Sequence, residues 1–356
     1  MRILHITNVD TAGGTNTNCL LFIRASGAEN TLLVLDQPGQ MQERWRQCGL
    51  AVQYLNILNG SRLNFIKRLK EAAGSDRYDL ILVWCCIRVP LIRYALRETG
   101  ASLGIHLGNP KVPGWRGECL LYVQDFIFRT GVKTKLFSCS NHVKTSFHRG
   151  FLSRFENTAI YNPIEMPGDG EGLRPDANGS GVIIGMVARM DYIKDFPTLL
   201  RASALVRARG LALHVELLGD GPMRSELETL IEKLDLRSSV RLPGYVDNVL
   251  KYITNWNLFV YSTTEREGLG NSVVEALAAG VPCVASDLPM MHEIDDGKGL
   301  LVFFKTGDET DLADKIVQTL GQAKLRERMA DLGRQHVAAR HDPSTYAEKV
   351  ISYVAG

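Results

Sequence analysis

The feature that most constrains this chain is an alternation. Short runs of consecutive apolar residues each close on a polar or glycine turn, and stretches of helical period follow. The runs are RILHIT, TLLVLD, DLILVW, SLGIHL and KLFSCS in the first half, then VIIGMVA, LHVELLG, LFVYS, CVAS and LLVFF. A strand that is apolar on both faces needs helices on both faces, which is the setting of a parallel sheet. Helical candidates such as SRLNFIKRLKEAAG, FPTLLRASALVRARG and RSELETLIEKLDL intervene. The alternation predicts an α/β protein of doubly wound, Rossmann-like sheets. With 356 residues the chain exceeds one ordinary core, so two domains are expected. The stretch PGDGEGLRPDANGSG, residues 167–181, has linker composition. It separates a first domain over 1–165 from a second over 166–341. The final DPSTYAEKVISYVAG reads as a helix, and 342–356 is expected to cross back onto the first domain. Ligands of such sheets bind outside the carboxyl ends of the strands. The two domains are therefore expected to face each other across a cleft.

Composition narrows the class. Hydrophobic residues make up 45% and charged residues 22%, so the chain is expected to fold rather than stay disordered. No run approaches the ~20 apolar residues of a membrane helix. The opening MRILHITNVD lacks the long apolar core and cleavage site of a secretory signal. The seven cysteines are odd in number and form no CxxC pair, which suits buried thiols in a reducing cytoplasm. No His or Cys cluster has zinc-ligand spacing. Net charge is +2, but residues 1–165 carry 20 Lys/Arg against 12 Asp/Glu, and residues 166–356 carry 21 against 27. The basic first half suits an anionic acceptor or a membrane surface, and ordinary solubility charge reads the same way. A cytoplasmic location follows, with peripheral contact at the inner face of the plasma membrane through the basic N-terminal domain. In NFIKRLKEAA, Phe65, Ile66 and Leu69 mix with Lys67, Arg68 and Lys70. Such a helix suits anionic lipid, or packs one face on its own sheet. No nucleic-acid partner is expected.

The chemistry concentrates in EREGLGNSVVEALAAGVP, residues 265–282. LFVYS reads as a strand and the residues up to Gly270 as a loop at its carboxyl end. A helix is expected to start at Asn271, whose short polar side chain suits an N-cap, and to stop at Gly280 before Pro282. Glu267 falls in the loop and Glu275 about one turn into the helix, off its apolar side. Gly268 and Gly270 permit close approach of a ligand, and the free N–H groups of a helix start attract anions. One loop thus offers a carboxylate, an anion cradle and a second carboxylate. Sugar hydroxyls, a diphosphate and ribose hydroxyls would match these parts. Taken alone, Glu275 also reads as a solvated helix residue and Glu267 as a favourable charge near a helix N-terminus.

In context, EGLGNSVVEALAAGVPCVASD closely resembles the E-x7-E segment of family-4 retaining glycosyltransferases, which have the GT-B fold. GMVARMDYIKD, LLGDGPMRSEL, RLPGYVDN and IYNPIE resemble further segments of that family in its order. The resemblance is strong after Gly185 and weaker before it. It implies that Glu267 contacts the transferred sugar and Glu275 the ribose of the donor. It implies that backbone at Leu269, Gly270 and Asn271 approaches sugar and phosphates, with Gly219, Gly244 and Tyr245 in the turns around the nucleotide. It implies that Arg189 and Lys194 are the paired cations on the diphosphate. Fixed cations aimed at the growing charge of a leaving diphosphate would stabilise the transition state. Gly13 and Gly14 match the family's Gly-Gly turn near the diphosphate, although Thr15 and Asn16 stand where Ala-Glu is common. His106 matches a histidine that reaches the donor sugar, or is a core histidine, as His5 is taken to be. Ser140 matches a serine that follows a strand.

The resemblance implies a hexosyltransferase that moves a sugar from a nucleoside-diphosphate sugar to a hydroxyl of a glycan or lipid-linked acceptor, with retention, in surface polysaccharide or glycoconjugate synthesis. A UDP-sugar is expected before a GDP-sugar, and no further cofactor. No D-x-D occurs in the chain, so metal independence is expected. The alternatives are a sugar-nucleotide epimerase or hydrolase on the same fold, or a non-catalytic nucleotide-sugar-binding partner. The loop GNPKVPGWRGE, residues 108–118, is the candidate acceptor loop, with Trp115 as a stacking platform.

Overall fold

The computed structural model describes residues 1–74, 77–84, 87–111, 115–128, 130–168 and 181–356, with backbone alone at 115–118. Most of the expected linker, residues 169–180, lies outside the described residues. The chain forms two compact units, Met1–Pro163 together with Asp342–Gly356, and Ile164–His341.

The first unit holds a seven-stranded sheet of β1 (Arg2–Thr7), β2 (Glu29–Val34), β3 (Ala51–Tyr54), β4 (Leu80–Val83), β5 (Ser102–Leu107), β6 (Thr134–Ser138) and β7 (Glu156–Ala159). Their order is β3-β2-β1-β4-β5-β6-β7, and every neighbouring pair is parallel. The second unit holds β8 (Val182–Val187), β9 (Leu213–Leu218), β10 (Val240–Gly244), β11 (Leu258–Tyr261), β12 (Cys283–Ser286) and β13 (Leu301–Phe304). Their order is β10-β9-β8-β11-β12-β13, again all parallel. In both sheets the winding reverses beside the first strand, between β1 and β4 and between β8 and β11. Loops diverge there at the carboxyl ends, which opens a crevice for a ligand.

The strands are buried as their apolar runs predict. β4, β11 and β12 are buried at every position. Two glycines let large groups lie flat on the sheets. A Cβ on Gly185 of β8 would fall 2.3 Å from the Trp256 ring, and one on Gly104 of β5 would fall 2.7 Å from Val354. Val354 belongs to the last helix, Pro343–Ala355, whose Tyr346, Ala347, Val350 and Val354 join Phe22, Trp84 and Phe137 in the core of the first unit.

The helix Arg62–Ala73 carries the basic stretch around Lys67. Its Phe65, Ile66 and Leu69 are buried inside the first unit and are not presented to lipid, while Leu63 on the same helix is exposed. Ser61 caps its start by accepting from the Asn64 N–H at 3.2 Å. The expected acceptor loop ends sooner than its sequence suggested. Residues from Trp115 onward already form the helix Trp115–Ile127, and the Trp115 side chain lies outside the described residues.

Candidate functional site

In the second unit the loops that follow β8 and β11 are laced together across the point where the winding reverses. Lys194 and Thr263 form an antiparallel bridge. The Thr264 N–H donates to Ile193 O at 3.1 Å, and the Asp195 N–H to Ser262 O at 3.0 Å. This lacing sets Lys194 beside Glu267. The two form an ion pair whose side chains are 13% and 10% exposed. Tyr261, the last residue of β11, completes the cluster. The Lys194 ammonium donates to its hydroxyl at 2.7 Å, and that hydroxyl donates to Glu267 Oε2 at 2.5 Å. The other carboxylate oxygen of Glu267 accepts from the Gly268 N–H at 2.8 Å.

Burial sets the protonation behaviour of this cluster. It lowers the Lys194 pKa from 10.5 to about 8, with the charge of Asp191 acting in the opposite direction. Burial likewise raises the pKa of the Tyr261 phenol, and the charges of Asp191 and Glu275 push it the same way while a hydrogen bond with Ser272 opposes them. Glu275 therefore lies within electrostatic reach of Tyr261, and Lys194, Glu267, Tyr261 and Glu275 share one neighbourhood.

The motif helix starts at Asn271 as expected, but the structure corrects its cap. The helix spans Asn271–Ala278, and its N-cap is Gly270, at φ 85°, not Asn271. A left-handed residue is needed to turn the chain from the loop into the helix, and glycine takes that conformation without strain. A Cβ there would also press on Met291 Cε at 3.0 Å and Tyr261 Cε1 at 3.1 Å. Leu269 is buried and anchors the loop from beneath. At the other end Gly280, at φ 72°, follows the C-cap Ala279, as the Gly–Pro spacing predicts.

A second backbone knot joins the ends of β8, β9 and β10. The Met190 N–H donates to Asp220 O, the Met223 N–H to Met190 O, and the Gly219 N–H to Gly244 O at 2.8 Å. Gly219 sits at φ 122° with Ala188 O only 2.1 Å from where a Cβ would be. Gly244 is left-handed at φ 84°, and the β9–β10 register shifts just before it. Tyr245 next to it is exposed. The Arg189 loop is thus held by the Gly-Asp-Gly-Pro turn, but the Arg189 side chain turns to solvent. It is 73% exposed, and its Nε stands 3.9 Å from Asp191. The expected pairing of two cations differs here: Lys194 pairs with Glu267, and Arg189 stands apart.

In the first unit Gly13 caps the helix Gly14–Ala25 with an extended backbone, φ −168°, and no atom lies within 4 Å of a Cβ built there. Gly13 is therefore not demanded by packing, and both glycines are exposed where the loop after β1 enters this helix. Asn16, which departs from the family pattern, is buried and its amide donates to Val9 O and Thr11 O, both at 2.8 Å, closing that loop. His106 ends β5 with its ring between Trp84 and Phe137, at centroid distances of 5.4 and 5.3 Å. Its Nε2 lies 3.4 Å from Asn162 Oδ1, and burial lowers its pKa to about 4, so the ring is neutral. Ser140 is a helix cap, accepting from the Val143 N–H at 3.1 Å.

Tyr261 was missed at the sequence level, because a tyrosine ending an apolar run reads as core. Its position at the carboxyl end of the strand that precedes the Glu267 loop is the signal that would have found it. Among the described residues no group of three or more His, Cys, Asp or Glu side chains is placed to hold a metal ion.

The chain is similar to known proteins. Residues 181–322 match the family described as Glycosyl transferases group 1. The putative glycosyltransferase EpsF of Bacillus subtilis is 28% identical over 213 residues, covering 57% of this chain and 54% of that protein. The lipopolysaccharide core biosynthesis glycosyltransferase LpsD of Rhizobium meliloti is 33% identical over 176 residues, covering 48% and 47%. The chain spans about half the length of these curated relatives. Among solved structures, Anabaena Alr3699/HepE in complex with UDP and glucose superposes with a TM-score of 0.84 at 17% identity, over 100% of both chains. Residues 181–322 thus resemble the group 1 glycosyl transferases, and the two parallel-sheet units have the GT-B fold.

Proposed function

We propose that the protein is a retaining, metal-independent glycosyltransferase that moves a sugar from a UDP-sugar to a hydroxyl of a glycan or lipid-linked acceptor in polysaccharide or glycoconjugate synthesis. The observation that carries the reading is the buried Lys194–Tyr261–Glu267 cluster at the winding reversal of the second sheet. It places a cation and a carboxylate at the carboxyl ends of β8 and β11, beside the start of the helix Asn271–Ala278. The UDP and glucose of the HepE complex, and the lipopolysaccharide named for LpsD, point to the donor and acceptor classes.

In this reading Glu267 holds Lys194 in the empty site. A donor diphosphate takes over the ammonium, which frees Glu267 to accept hydrogen bonds from the sugar. Glu275 accepts from the ribose hydroxyls, and Arg189, already exposed, closes on the diphosphate. The acceptor hydroxyl attacks the anomeric carbon on the face from which the diphosphate leaves. The carbon–oxygen bond to the acceptor forms as the bond to phosphate breaks, and a phosphate oxygen takes the hydroxyl proton. The protein supplies position and fixed charge.

Thermal-shift titrations with UDP and GDP, repeated in EDTA, test the binding half. UDP should stabilise the protein in proportion to the logarithm of its excess over Kd, with EDTA without effect. For turnover, Glu275→Ala should mainly weaken the donor, while Arg189→Ala and Lys194→Ala should lower kcat. Wild-type behaviour of all three variants, or loss of activity in EDTA, overturns the reading. Turnover of donor without any acceptor would favour an epimerase or hydrolase instead.

A further inference from the structure

Lys194 and Glu267 meet at a side chain of a different build. Lysine and glutamate turn about many side-chain bonds, a tyrosine about few. Tyr261 is also locked by its surroundings. It ends β11, is 2% exposed, and its ring stacks with Phe259 at a centroid distance of 6.2 Å. A Cβ on Gly270 would press on its Cε1 at 3.1 Å, so the loop glycine fits against the ring. The hydroxyl is thus fixed between the loops that follow β8 and β11. A group locked by packing can hold its neighbours in a set geometry.

A phenol has one proton to give and two lone pairs to receive with, and Tyr261 uses all of them. The proton goes to Glu267 Oε2 at 2.5 Å. The lone pairs take the Lys194 ammonium at 2.7 Å and a hydrogen bond from Ser272. Burial and the charges of Asp191 and Glu275 keep the phenol protonated, so its bond to Glu267 keeps one direction at every working pH. Glu267 is anchored at both oxygens, Oε2 by Tyr261 and Lys194 and Oε1 by the Gly268 N–H at 2.8 Å. When a diphosphate draws the ammonium away, the Tyr261 anchor remains. Each carboxylate oxygen then has one protein donor and a further lone pair, which suits hydroxyl donors from a sugar.

We propose that Tyr261 is the positioning residue of this site: its hydroxyl keeps Glu267 aimed at the transferred sugar after the donor diphosphate has taken Lys194. The inference rests on the glycosyltransferase reading above and deepens it, because it divides the donor between two groups. The diphosphate belongs to Lys194, and the sugar to the Tyr261–Glu267 pair. Tyr261 acts through Glu267 and touches no substrate atom itself.

Calorimetric titration with UDP, UDP-glucose, UDP-galactose and UDP-N-acetylglucosamine tests it, taking the sugar nucleotide that the wild type binds most tightly. Tyr261→Phe keeps the ring and removes the hydroxyl. It should leave the Kd for UDP within about threefold and weaken the sugar nucleotide by at least about tenfold, the worth of a hydrogen bond to a charged group. Tyr261→Met, which also lacks the hydroxyl and adapts its shape to the core, is the second variant should the first fail to fold. In a Glu267→Ala background the same Tyr261→Phe change should cost no more than about twofold, since the group it positions is gone. Equal shifts for UDP and the sugar nucleotide overturn the proposal, because a ring that only fills the core does not tell the two ligands apart. So does a tenfold loss that persists without Glu267. A wild type that binds none of the four ligands overturns the reading of the site itself, and this inference with it.

Discussion

Lys194 shows how one residue's burial sets a measurable pH dependence. Its ammonium has a pKa of about 8. Below that pH the group is charged and attracts a diphosphate; above it the group is neutral and the attraction is lost. Affinity for UDP should therefore be nearly flat up to about pH 7 and fall by about tenfold from pH 7 to pH 9, as the protonated fraction falls. Lys194→Arg, charged at every accessible pH, should remove that fall even if it binds less well. Calorimetric titration from pH 6.5 to 9.5 reads both, and a pH-independent wild type would refute the role. The residue types of this cluster were legible: Lys194 and Glu267 stand out by spacing and neighbours. Their pairing was not, because it depends on the Lys194–Thr263 bridge between loops some seventy positions apart. The outward turn of Arg189 was equally hidden, since the path of a loop sets it and no periodicity reports it. His5, read as core, is buried with its Nδ1 accepting from Trp84 Nε1 at 3.0 Å.

At the scale of elements, the sequence revealed strands in proportion to their burial. The ten apolar runs match strands in the sheet interiors and at one edge. Three strands escaped notice: β3, β7 and β10, with sequences AVQY, ENTA and VRLPG. Each lies at the edge of its sheet, where one side meets no neighbouring strand. Edge strands need fewer apolar residues and tolerate proline and charge, so they carry no continuous apolar run. The turns between elements were more legible, because glycine marks the places where backbone passes close to backbone. Gly219 is the strongest case, being left-handed and with Ala188 O 2.1 Å from a would-be Cβ. Gly219→Ala must push the Ala188–Met190 segment away, and with it the mounting of Arg189. A destabilisation of about 2 kcal/mol or more is expected, with weakened UDP affinity in whatever remains folded. Gly13→Ala is the control, since nothing lies within 4 Å of its Cβ, and its melting temperature should stay near the wild-type value. Equal melting temperatures for both variants would show that the knot is not rigid.

At the scale of the whole molecule, the chain leaves the second unit at His341 and ends in the first. Asp342 caps the returning helix by accepting from the Thr345 N–H at 2.7 Å. The helix then lies on β5 over Gly104, and its end is held by Lys135 Nζ donating to Tyr353 O at 2.8 Å and Lys133 Nζ donating to Gly356 O at 2.6 Å. Tyr346, Ala347, Val350 and Val354 are all at most 2% exposed, so this helix completes the core of the first unit rather than decorating it. Deleting residues 342–356 uncovers the faces of Phe22, Trp84 and Phe137 that it packs against. Each large side chain so exposed forfeits roughly 1.5–3 kcal/mol, which together rivals the stability of an ordinary domain. The truncated chain should therefore keep a folded second unit and lose the first. In limited proteolysis a fragment close to 164–341 should survive while residues before it are degraded, and circular dichroism should show about half the cooperative melting amplitude. Val350→Ala, which removes only two methyl groups from the same face, should lower the melting of the first unit alone, by about 1–3 kcal/mol. A truncated chain that melts as the full-length protein does would mean that the first sheet is covered well enough without its last helix.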